Sequence, residues 1–166
     1  MADIMSEPLI VVVGETGSGK SALAMELAKK FNGEIIAADA MTVYRGFDIG
    51  TAKPSKEDQR KVPHHLIDVA DATEKFSAAK FQELANEAIH DIHKRKKLPI
   101  MVGGSGLYID SVLFEYEFNP KPTAGLRDEL EVMTLAELHE IARQGGFDLS
   151  SIDSQNKRRV IRLIES

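Results

Sequence analysis

The chain has 166 residues, 43% hydrophobic and 28% charged, with a formal net charge of −5. That length suits one domain with a full core, or one domain plus a small appendage. The absence of cysteine excludes a disulfide scaffold and a thiolate metal site and fits a reducing, cytoplasmic setting, while the acidic balance argues against binding nucleic acid by bulk charge alone.

Residues 1–8 carry acidic side chains and no long apolar core, so no signal peptide is expected. The longest apolar run, Leu9-Ile10-Val11-Val12-Val13, is far too short to cross a bilayer. It reads as a first strand and leads into Gly14-Glu15-Thr16-Gly17-Ser18-Gly19-Lys20-Ser21, a match to G-x-x-x-x-G-K-[ST]. A helix follows over residues 22–31, with Ala22, Leu23, Leu27, Ala28 and Phe31 as its apolar stripe and Asn32-Gly33 as its stop. Strand, glycine loop and helix together make a phosphate-binding loop, whose N–H groups and helix N-terminus converge on one anion. Lys20 adds a mobile positive charge, and the Ser21 hydroxyl can ligate Mg²⁺. Gly14, Thr16, Gly17, Ser18, Gly19, Lys20 and Ser21 are therefore the candidate di- or triphosphate site.

Residues 34–38 form a short buried strand with Asp39 at its carboxyl end, completing a βαβ unit with parallel strands. Ligands in such sheets lie beyond the carboxyl ends of the strands, so Asp39 should face the loop's ligand. Residues 41–63 read as an active-site loop with a short helix at 56–61, and residues 64–69 as a third strand. His64 and His65 are adjacent on a strand, face opposite ways and suit hydrogen bonding better than a shared metal. Ser77 caps a helix whose stripe is Phe81, Leu84, Ala85, Ala88, Ile89 and Ile92. That helix ends in the basic run Lys94-Arg95-Lys96-Lys97, either a solvated helix end or a binding patch. A fourth strand, 98–102, runs into Gly103-Gly104-Ser105-Gly106 and a helix at 107–113. This second glycine turn should bring its N–H groups and the Ser105 hydroxyl to the same ligand.

Asn119-Pro120-Lys121-Pro122 is a linker by composition, and everything after it is helical. Helices are expected over 125–132, over 134–144 with a Thr-x-x-Glu capping box and a Gly145-Gly146 stop, and from about Ser154 onward with Val160, Ile161 and Ile164 on one side. The pattern is still helical at Ser166, as in a fragment. The expected architecture is α/β: a P-loop NTPase-like parallel sheet flanked by helices over residues 1–118, followed by a small all-helical segment over 119–166.

The chemistry is narrowed by what accompanies the loop. Phosphoryl-transfer enzymes place an acid after an apolar strand to hold Mg²⁺. Here Asp68 follows only Leu66-Ile67, and the 98–102 strand ends in glycines. A phosphate loop with a well-placed carboxylate suits a reaction in which diphosphate leaves and Asp39 takes a proton from the nucleophile. A small-molecule or nucleotide kinase and a catalytically degenerate phosphate-binding fragment are the alternatives.

The phosphate loop, Ala38-Asp39, the run from Val43 through Tyr44-Arg45-Gly46 to Thr51-Ala52-Lys53-Pro54, then Pro63-His64-His65-Leu66-Ile67-Asp68, Phe76-Ser77-Ala78-Ala79 and Leu98 through Gly103-Gly104-Ser105-Gly106-Leu107-Tyr108 resemble the tRNA dimethylallyltransferases. The likeness is strong over residues 9–113 and weaker through Leu126-Arg127 and 157–162. It implies a cytoplasmic, monomeric enzyme that moves a dimethylallyl group from dimethylallyl diphosphate, bound with Mg²⁺, to N6 of the flipped-out adenine 3′ of the anticodon. By the same resemblance, Asp39 is the general base, and Lys20 and Ser105 stabilise the departing diphosphate. Asp39, Ala40, Met41, Thr42, Ser105, Arg127, Arg158, Arg159 and Arg162 would contact tRNA, the last four from a helical insertion. Ala40 and Thr42 stand where the family usually carries Ser and Gln, and Ser105 where Thr is typical. The family's chain continues well beyond Ser166, so these residues alone are expected to bind a diphosphate but turn over poorly.

Overall fold

A computed structural model describes residues 8–51, 53–118 and 125–166. The expected linker at 119–122 lies outside the described residues. The chain divides into two compact units, residues 1–116 and 117–166.

The first unit is a four-stranded, wholly parallel sheet. Its strands are β1 (Ile10–Val13), β2 (Gly33–Ala38), β3 (His64–His65) and β4 (Leu98–Gly103), in spatial order β1-β4-β2-β3. β1 and β2 are parallel as the βαβ reading requires, but β4 lies between them. β2 is buried along its whole length, which explains why small and apolar residues fill it without alternation after the one charged residue, Glu34. Gly33 opens β2 because a side chain there would crowd the Leu98 carbonyl; Asn32, at φ 52°, makes the turn that ends the preceding helix.

Helix α1 (Lys20–Lys30) starts directly from Gly19, which sits at φ 84°. Its buried residues are Ala24 and Ala28, with Met25 and Leu27 packed beside them. The expected stripe is thus rotated: Leu23 and Phe31 are each 48% exposed. Two alanines on the sheet side let the helix approach the strands closely. The third strand is also shorter than expected. Leu66 (φ 62°) and Asp68 (φ 57°) take left-handed backbone, which breaks the extended run after His65 even though both carry side chains. The chain pairs again further on, where the N–H groups of Val69 and Ala70 donate to the Val43 carbonyl at 2.8 and 3.0 Å.

Helix α2 (Lys56–Lys61) is capped by Ser55. Helix α3 (Ala78–Lys94) is capped by Ser77, which accepts from the Lys80 N–H, and buries Phe81, Ala85, Ala88, Ile89 and Ile92. Helix α4 (Gly106–Leu113) follows the second glycine turn.

Part of the basic run after α3 is structural. Glu34 is 1% exposed near the start of β2. It accepts hydrogen bonds from both terminal nitrogens of Arg95, from Lys97 at 2.9 Å and from His65 Nε2 at 2.7 Å. Burial alone would raise the Glu34 pKa; the bonds from Arg95, Lys97 and His65 outweigh it and hold the carboxyl at about 2.

The second unit holds α5 (Leu126–Val132), α6 (Leu135–Gln144), a 3₁₀ turn (Leu149–Ser151) and α7 (Lys157–Ile164). Leu130, Leu138, Val160 and Ile161 form its core. The capping box is complete, Thr134 and Glu137 each bonding the other's backbone N–H. Helix α7 begins later than expected because Asn156, not Ser154, supplies the cap, accepting from the Arg158 and Arg159 N–H groups.

Candidate active site

Strand register sets the geometry of the site. Val13 pairs with Gly103, and Gly103 with Ala38, so β1, β4 and β2 finish abreast and Gly14, Gly104 and Asp39 leave the sheet together. Gly103 is required there: a Cβ would overlap the Ala38 backbone. The close approach allows two further ties. Ser105 N–H donates to the Ala38 carbonyl at 3.2 Å, and Ala40 N–H donates to Ser105 Oγ at 2.9 Å. The second glycine turn is thereby fastened to the residues on either side of Asp39.

The phosphate loop curls on itself. Ser18 N–H donates to the Glu15 carbonyl at 3.2 Å, and Gly17 and Gly19, both at φ 84°, supply backbone that other residues resist. Neither α1 nor α4 has a side-chain cap, so their first N–H groups remain open to an anion. Lys20 Nζ donates to the Glu15 carbonyl at 2.9 Å, folded over its own loop; a flexible stem lets it swing to a ligand.

Lys20, Ser21, Asp39 and Thr42 line one cavity of about 430 Å³, whose other walls include Ile35, His64 and Val102. Asp39 Oδ1 accepts from the Met41 N–H at 2.8 Å. Among the described residues its other carboxylate oxygen accepts nothing, leaving it for a proton or a substrate. Thr42 is 2% exposed and donates to the Asp39 carbonyl at 3.2 Å; its hydroxyl braces the backbone of the acid. Ala40 and Met41 are exposed and are not among the residues that line the cavity.

His64 and Lys53 gain importance that the sequence reading did not give them. His64 Nδ1 lies 2.7 Å from the Val62 carbonyl, which can only accept, so Nδ1 carries the proton. Burial pushes the His64 pKa down, and the neutral ring presents Nε2 as an acceptor. Lys53 Nζ, on a side chain only 5% exposed, joins Asp48 (2.7 Å), Asp68 (2.7 Å) and the Tyr44 carbonyl (3.0 Å). Asp68 is therefore committed to Lys53, whose hydrogen bond is the first cause of its lowered pKa. Among the described residues no group of three His, Cys, Asp or Glu is placed to hold a metal ion.

In the second unit, Arg127 bonds Glu131 and Glu165, each at 3.1 Å, so its charge is partly spent within that unit. Arg158, Arg159 and Arg162 differ. They lie on the exposed side of α7, opposite the buried Val160 and Ile161, with no ion pair to any described acid. The phosphate loop, Asp39 and Ser105 belong to one unit; Arg127 and the three α7 arginines belong to the other.

A tRNA dimethylallyltransferase of an Exiguobacterium species is 48% identical over 164 residues, covering 95% of this chain and 53% of the relative. The enzyme of that name from Anoxybacillus flavithermus is 47% identical, covering 97% and 52%. The chain thus spans about half the length of the curated relatives it matches. Among solved structures, the full-length tRNA isopentenylpyrophosphate transferase of Bacillus halodurans superposes with a TM-score of 0.67 at 42% identity, covering 96% of this chain and 55% of that one. A eukaryotic dimethylallyltransferase acting on tRNA gives 0.81 at 32% identity, covering 96% and 41%. The IPP transferase family model matches residues 42–166. With its parallel sheet and phosphate loop, this chain belongs to the IPP transferase family.

Proposed function

We propose that the chain carries the donor site and the general base of a tRNA dimethylallyltransferase, which transfers a dimethylallyl group to N6 of the adenine at position 37, 3′ of the anticodon. The carrying observation is that Lys20 and Ser21 of the phosphate loop share one cavity with Asp39, whose second carboxylate oxygen has no partner among the described residues. The names of the relatives point to the same reaction.

The nitrogen attacks C1 of the dimethylallyl group as the C1–O bond breaks, and the bonding pair leaves with the diphosphate. Asp39 accepts the proton lost from N6. Lys20 and the open N–H groups at the start of α1 take up the charge that builds on the leaving group. The Ser105 hydroxyl, already accepting from Ala40, keeps its own hydrogen to donate to the diphosphate. Mg²⁺ would be held by Ser21 together with diphosphate oxygens, a usual arrangement for an ion that keeps few protein ligands; it would lower the charge of the diphosphate. The free α7 arginines suit RNA phosphates, and the reacting base must leave its stack to reach Asp39. A monomer in the cytoplasm is the setting that goes with this reading.

Calorimetry on this chain should show tighter binding of dimethylallyl diphosphate than of ATP. Labelled dimethylallyl diphosphate and tRNA, supplied to the full open reading frame that encodes the chain, should give prenylated adenine and free diphosphate. Preference for ATP with phosphoryl transfer to a small acceptor would overturn the reading in favour of a kinase.

A further inference from the structure

We propose that Lys53 is a positioning residue for Asp39, acting through Asp68 and the backbone of Thr42. This rests on the prenyl-transfer reading above, in which Asp39 takes the proton from N6.

Lys53 Nζ meets three acceptors: Asp48 and Asp68, each at 2.7 Å, and the Tyr44 carbonyl at 3.0 Å. Its side chain is only 5% exposed. Burying an ammonium is costly, and an apolar side chain would fill the same space. What the charge adds is direction, since its bonds join residues 44, 48 and 68 at one point. Asp68 carries the connection onward. While Lys53 holds its carboxylate, its own N–H donates to the Thr42 carbonyl at 3.2 Å. Asp68 does this from left-handed backbone at φ 57°, with Leu66 at φ 62° shortly before it. Such a conformation is unfavourable for a residue with a side chain and persists where its surroundings hold it. The ion pair to Lys53 grips that same residue.

Residues 68–70 then clamp the segment that follows Asp39. Val69 and Ala70 bond the Val43 carbonyl, and Arg45 N–H donates back to the Ala70 carbonyl at 2.9 Å. Inside this clamp the Thr42 hydroxyl donates to the Asp39 carbonyl at 3.2 Å, and Met41 N–H donates to Asp39 Oδ1 at 2.8 Å. The path from Lys53 to the carboxylate thus runs through hydrogen bonds and single steps along the chain. Among the described residues no hydrogen bond joins Lys53, Asp48 or Asp68 to the phosphate loop. The brace acts on the base and leaves the diphosphate site alone.

Three variants of the protein from the full open reading frame test this: Lys53→Met, Asp68→Asn and Asp48→Asn. Asp48 is 67% exposed and bonds the same ammonium, but among the described residues it makes no bond to Thr42. Lys53→Met and Asp68→Asn should lower kcat about tenfold, because a small misplacement of a reacting group is costly. KM for dimethylallyl diphosphate should not change. Asp48→Asn should keep wild-type kcat. Hydrogen–deuterium exchange should speed up over residues 41–45 in the first two variants and stay unchanged over 14–21. Wild-type kcat in Asp68→Asn overturns the proposal. Equal losses in the two aspartate variants also overturn it, as they mark a general brace of the loop. So does a loss of kcat without faster exchange over 41–45. If Lys53→Met does not fold, the two aspartate variants decide alone. Absence of prenyl transfer in the wild-type protein would instead reject the parent reading, and exchange over 41–45 would then decide whether Lys53 holds the segment.

Discussion

Ser105 Oγ accepts the backbone N–H of Ala40 at 2.9 Å across a sequence gap of 65 residues. One short side chain therefore joins the end of β4 to the residue that follows Asp39. Ser105→Ala removes both this tie and the donor proposed for the diphosphate. Stability should fall by about 1 kcal/mol in urea unfolding, and prenyl transfer by about a hundredfold. Ser105→Thr keeps the hydroxyl and should recover most of both.

Gly103→Ala should be among the most damaging single changes. The added methyl group overlaps the backbone of Ala38, which has no flexible side chain to move aside. A loss of about 3 kcal/mol or more is expected, read as a lower midpoint in denaturant. Gly106→Ala meets nothing nearby and serves as the control.

Acid should loosen the opposite end of the sheet. Glu34 is held at about 2 when folded, against an ordinary carboxyl value of 4.5. Its contribution is complete above pH 4.5 and lost as pH falls toward 2, because the unfolded chain then binds the proton more readily. The contribution is on the order of 3 kcal/mol. Glu34→Gln should lower stability at pH 7 and flatten the stability profile between pH 4.5 and 2. A profile as steep as wild type in that window would refute the assignment.

Replacing Arg158, Arg159 or Arg162 by Ala should weaken tRNA binding and reduce the slope of log K against log salt by about one per residue. Arg127→Ala should instead lower the stability of the helical unit, since it leaves Glu165, 6% exposed, without its arginine. Salt titrations and thermal unfolding of the four variants separate the two roles.

Local signals were readable in the sequence. The glycine loop, the Ser77 cap, the α3 stripe and the Thr134–Glu137 capping box are each written within a few residues, and they stand where their spacing puts them. What was not readable depends on distant partners. Nothing in residues 9–38 announces that β4 will come between β1 and β2. Arg95 and Lys97 resemble any solvated basic run until Glu34, 61 and 63 residues away, is brought against them. The third strand failed for another reason: Leu66 and Asp68 adopt left-handed backbone without the glycine that usually marks it. Asp39 and the phosphate loop could be paired in advance, because parallel strands finish on the same side. The inclusion of His64 in their cavity could not be foreseen.

The crowding at Gly103 also limits what this scaffold could become. An aspartate or glutamate at Gly103, the last residue of β4, cannot be accommodated by one substitution: any side chain there strikes β2. At Gly103 itself a side chain would require β4 and β2 to move apart, whereas at Gly104 the nearest atom to a Cβ, the Gly14 carbonyl oxygen, is 3.6 Å away. The end of β4 is thus closed to any side chain at Gly103, and new chemistry beside the phosphate loop has to come from the residues that follow it.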